Sequence, residues 1–85
     1  MKQYIFPAVV YVDDETGMFV LSMQDMTLVV EGYSVEEVFS EAKNTLELYC
    51  KTALDIDGEV VNSTSFVDVF KRNRNNICLL VDCKC

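Results

Sequence analysis

Four cysteines and fourteen acidic side chains are the groups of this 85-residue chain best able to do chemistry, and there is no histidine to work with them. A thiolate can ligate a soft metal or attack an electrophile, and convergent carboxylates can share a divalent cation. Each use requires a pattern. Zinc sites usually show Cys-x-x-Cys pairs or histidines, whereas the cysteines here fall at 50, 78, 83 and 85, so no metal and no other cofactor is expected. Cys50 lies on the apolar stripe of a helical segment and Cys78 within a strand pattern, ordinary homes for a small buried thiol, while Cys83 and Cys85 read as exposed, with no role assigned. Imidazole-based serine and cysteine triads are excluded. A metal-dependent nuclease needs acids converging from mid-strand and a facing helix, but Asp13 and Asp14 lie beyond the end of the first strand and Asp82 near the end of the last. No catalytic residue is expected, and these acids read as solvated charge.

The main element that must position any site runs from Ser34 to Ile56. Val35, Val38, Phe39, Ala42, Leu46, Tyr49, Cys50 and Ala53 recur at spacings of three and four, which is one apolar stripe on a helix. Ser34 and Glu37 form a capping box, Glu36 and Glu37 favour the positive end of the helix dipole, and Gly58 offers a left-handed residue past the last turn. Glu47 precedes Lys51 by four, the favourable order for a modest ion pair.

Before the helix, Tyr4 to Val12 is β-branched and aromatic, with Pro7 marking a bulge or a stretch unpaired on one side. The turn Asp13-Asp14-Glu15-Thr16-Gly17 leads into a second strand, Met18 to Met23, and Thr27 to Glu31 makes a third. After the helix, Thr64 or Ser65 is placed to cap a short helix from Phe66 to Phe70. Ile77 to Cys83 closes the chain as a strand rich enough in apolar residues to lie inside the sheet rather than at its rim.

The order β-β-β-α-(short α)-β predicts an α+β, two-layer domain spanning residues 1–85, an antiparallel meander with the last strand added to the sheet. Four strands at ~4.8 Å make a sheet nearly twice as wide as one helix, and the short helix is expected to cover part of the same face. Met18, Val20, Val29 and Leu80 put apolar surface on the far face as well, so a homo-oligomer, dimer or tetramer, is expected. The net charge of −7 disfavours direct nucleic-acid binding and favours a basic protein partner. No apolar run is long enough to span a membrane and no secretory leader is apparent, so reduced thiols and a cytoplasmic location are expected.

The segments FPAVVYV, FVLSMQD, EGYSVEEVFSEAKNTLELY, DGE and ICLLVD, in this order and spacing, resemble the N-terminal domain of HicB antitoxins and HicB-like solo proteins over nearly the whole chain. Phe6 to Val9 and the Gly-x-Ser-x-Glu-Glu run at Gly32 to Glu37 are the specific parts. The resemblance implies a partly RNase H-like fold and a non-enzymatic antitoxin domain that binds and masks a small basic HicA-like toxin, one that cleaves messenger RNA. The alternative is an orphan structural or adaptor domain acting through self-association or another protein. Family members that repress their operon carry a C-terminal DNA-binding domain; with the sequence ending at Cys85, none is expected here. The segment Asp25 to Gly32 also departs from the family's Asp-x-Pro-Gly-Cys pattern, with neither that pattern's Pro nor its Gly after Asp25. Asp25, Glu36 and Glu37 match the pattern and, with neighbouring Glu31, are the expected partner-binding residues. Pro7, Gly32, Ser34 and Gly58 are expected to be structural.

Overall fold

The hairpin expected from the acidic turn joins β1 (Gln3–Val12) to β2 (Phe19–Met23). Gly17 takes φ 73°, a left-handed conformation that costs glycine little, and its N–H donates to the Asp13 carbonyl at 2.7 Å. A 3-10 turn, Gln24–Met26, leads to β3 (Leu28–Gly32), followed by α1 (Val35–Asp57), α2 (Phe66–Arg72) and β4 (Ile77–Lys84). The computed structural model describes residues 2–85. All neighbouring strands pair antiparallel in the order β3-β2-β1-β4, so the architecture is α+β, with the meander and the added last strand in their expected places.

Side-chain alternation decides which residues meet α1. Phe6, Ala8 and Val10 of β1, Leu21 and Met23 of β2, and Val81 and Cys83 of β4 share one face and form a core with Val38, Ala42, Leu46 and Cys50. The buried helix residues recur every four positions, a row that drifts about 40° around the axis at each step, so the stripe crosses the helix obliquely. Each fully buried large side chain contributes about 1.5–3 kcal/mol, which makes this face the main source of stability. The helix is fixed at both ends. Ser34 Oγ accepts from the Glu37 N–H at 3.1 Å, and Gly58, at φ 74°, donates its N–H to the Leu54 carbonyl at 3.1 Å. The Glu37 carboxylate accepts from the Tyr33 N–H at 3.2 Å, one residue before the cap, where a regular capping box would use the N–H of Ser34 itself. Gly32 is structural through close approach: a Cβ there would stand 3.1 Å from Glu37 Cγ and from Val38 Cγ1.

The structure departs from expectation at four places. β4 is a rim strand, not an interior one. Its apolar character has another cause: Leu79, Val81 and Cys83 face α1, while Cys78, on the opposite face, donates its thiol to the Asn73 carbonyl beyond α2 at 3.8 Å. Correspondingly, α2 lies on the face opposite α1, where Val69 approaches Pro7 and Val9 rather than adding to the α1 side. Val20, on that far face, is covered, although Val29 and Leu80 remain about half exposed. Cys83 is buried, because the sheet register turns it inward beneath α1. Finally, neither hydroxyl caps α2: Ser65 is the N-cap residue without a side-chain bond, and Thr64 points elsewhere. Pro7 pairs with Leu80 on one side and lies outside the β1–β2 ladder, which begins at Val9, as a residue without an N–H requires. Among the described residues, no helix is long and apolar enough to cross a membrane.

Candidate functional site

Sheet register gathers the acidic residues that sequence spacing kept apart. Val12 pairs with Phe19, and Phe19 with Gly32, so the Asp13–Glu15 turn and the β3–α1 corner meet at one end of the sheet. Two strand spacings separate them, about 10 Å. Asp13, Asp14, Glu15, Glu31, Glu36 and Glu37 therefore border one rim, all exposed but the partly covered Asp13. Beside them Val12, Phe19 and Ile77 line a shallow groove closed by Asn75 and Asn76. Val12 and Ile77 are about half exposed, so the rim offers apolar contact next to negative charge. That combination suits a basic protein surface, steered by charge and held by apolar burial.

The four residues expected to bind a partner do not form one cluster. Glu31, Glu36 and Glu37 belong to this rim, although the Glu37 carboxylate is already used by the Tyr33 N–H. Asp25 sits at the opposite end of β3, roughly 17 Å along the strand. One of its oxygens accepts from the Thr64 N–H at 3.0 Å and the other from the Thr64 hydroxyl, fixing the α1–α2 loop in a half-buried setting. Thr27, in the segment without the family pattern's Pro and Gly, takes φ 55°, a left-handed conformation that costs a β-branched residue about 1–2 kcal/mol. Sequence reasoning missed Asp13, Asp14 and Glu15 as members of the rim; only the strand register links them to Glu31.

The acids of the nuclease reading do not converge. Asp82 pairs across from Ile5, about 24 Å down β1 from Val12 and the Asp13 turn. The Gln3 amide donates to Asp82 Oδ2 at 3.0 Å and Lys43 Nζ lies 3.5 Å from Oδ1, and together they hold this carboxyl below the usual range. One group among the described residues brings ligand atoms close enough to hold a metal ion: Cys50, Cys83 and Cys85. Burial is the main cause that pushes the Cys50 and Cys83 thiols up; their mutual contact adds to the rise at Cys83 and opposes it at Cys50.

No protein-family model matches the sequence, and no curated protein matches it. Among solved structures, the fold is similar to that of a chain from a toxin–antitoxin complex of Streptococcus pneumoniae, at a TM-score of 0.76 and 17% identity, covering 95% of this chain and 69% of that one. At that identity the likeness is one of fold.

Proposed function

We propose that this domain is a non-enzymatic antitoxin of HicB type, which masks a small basic HicA-like toxin by covering its RNA-binding surface. The observation that carries the reading is the acidic rim beside the apolar groove at Val12, Phe19 and Ile77. The fold likeness to a toxin–antitoxin chain and the net charge of −7 support it. Glu31 and Glu36 act with Asp13, Asp14 and Glu15 in attracting the partner, whereas Asp25 and Glu37 serve mainly to hold the domain's own loops. The domain carries out no reaction itself, and magnesium-dependent RNA cleavage abolished by Asp13→Ala or Asp82→Ala would refute that.

The test is co-expression with the product of an adjacent small basic reading frame. The pair is expected to co-purify at low salt and to restore growth, with association slowed tenfold or more when Asp13, Asp14, Glu15, Glu31 and Glu36 are replaced by their amides. Failure of any such complex to form overturns the proposal. A second reading, an adaptor acting through self-association, is favoured by the uncovered edge of β4 and half-exposed Leu80. Light scattering that finds only monomer at tens of micromolar rules it out.

A further inference from the structure

Cys83 of β4 and Cys85, one residue past its end, are two positions apart and so turn to the same side of the sheet, where α1 delivers Cys50, the last residue of its buried stripe. The sulfurs of Cys50 and Cys83 lie 3.3 Å apart, and all three sulfurs lie within 4.8 Å of one another. Cys50 and Cys83 are buried and Cys85 is partly covered, its thiol directed at the Glu47 carbonyl at 3.9 Å. Two backbone hydrogen bonds to Lys2, of 2.9 and 3.0 Å, hold Cys85 in line with the strand. We propose that Cys50, Cys83 and Cys85 bind one soft, closed-shell metal ion through three thiolates, with copper(I) as the ion they suit best.

The geometry needs little adjustment. With a metal–sulfur bond of ~2.3 Å, the sulfurs of a planar three-coordinate site stand about 4 Å apart, so Cys50 and Cys83 must part by less than ~1 Å. An all-sulfur donor set selects soft ions. The number of donors narrows the choice. No fourth cysteine, histidine or carboxylate among the described residues joins the group, whereas a closed zinc site takes four ligands. Binding forms three sulfur–copper bonds and releases three thiol protons to solvent, with no change of oxidation state. A groove lined by Lys43, Glu47, Asp82, Cys83 and Lys84, its two lysines matched by two carboxylates, gives access. The ion would rivet α1 to β4, two elements otherwise joined here by side-chain packing and the exposed Lys43–Asp82 ion pair. This site is remote from the acidic rim, so its fate is independent of the antitoxin reading.

The full chain, reduced and kept free of oxygen, should be titrated with copper(I) against a competing chelator. One equivalent should bind, with sulfur-to-copper charge-transfer absorption, three sulfur neighbours by X-ray absorption and a higher melting temperature. Cys85→Ser, at the partly covered position where folding is least at risk, should weaken binding at least tenfold. Cys78→Ser, on the other face of the sheet, should leave it unchanged. The proposal is overturned by no uptake against the chelator, by two sulfur neighbours, by undiminished binding in Cys85→Ser or by its loss in Cys78→Ser. Equal retention of zinc, or conversion of Cys50 and Cys83 to a disulfide in place of ion binding, also overturns it.

Discussion

On the α1 side of the sheet, Phe6, Val10, Leu21, Met23 and Val81 are no more than 1% exposed, whereas on the other side Ile5, Tyr11, Val29 and Leu80 remain 42–57% exposed. Both faces are apolar; they differ in cover. A 23-residue helix lies over one, and a seven-residue helix that buries only Val69 lies over part of the other. The closed face holds the fold together, and the open face and the acidic end are left largely uncovered.

That contrast can be broken by substitution. Leu46→Ala, at the centre of the closed face, should cost about 2–5 kcal/mol in chemical denaturation, since neighbours fixed on three strands cannot collapse into the space. A loss below about 1 kcal/mol would mean that the face is not the rigid core described. Asp25→Ala releases the loop that carries the chain from one face to the other and should cost about 1–3 kcal/mol, with faster amide exchange at Thr64. Val69→Ala removes two methyl groups from the half-covered face and should cost about 1–2 kcal/mol. Leu80→Ala should change monomer stability by less than ~0.5 kcal/mol while weakening any self-association seen by light scattering.

The smallest effect concerns pH. Asp82 has a lowered pKa in the folded state, first through the Gln3 amide and then through the charge of Lys43. Its contribution is therefore present above the unfolded value of about 3.9 and is lost as pH falls through the folded value. Asp82→Asn should make acid unfolding less steep in that range, and an unchanged profile would show that these exposed contacts contribute nothing.

Local patterns were legible in the sequence, and long-range placement was not. The α1 stripe, the Ser34 cap and the Gly58 stop each depend on residues within a few positions of one another, and they appear as read. The rim position of β4 was hidden because apolar residues on both faces signal helices above and below, not strands on both edges. The side taken by α2 was hidden because seven residues with one buried valine define almost no face. Asp25 meets Thr64 across 39 positions and Cys50 meets Cys83 across 33, so neither contact follows from spacing. The acidic rim needed the register of two strand pairs.

The buried stripe of α1 stops at Cys50, while the helix continues to Asp57. Its last two turns lie mostly in solvent, with only Ala53 and Leu54 partly covered, and Val60 folding back from the loop to touch the core. One continuous helix therefore contains two dynamic regimes. Amides of the buried stripe from Val38 to Cys50 should exchange only when the domain unfolds as a whole, whereas those from Lys51 onward should open locally at much lower free energy.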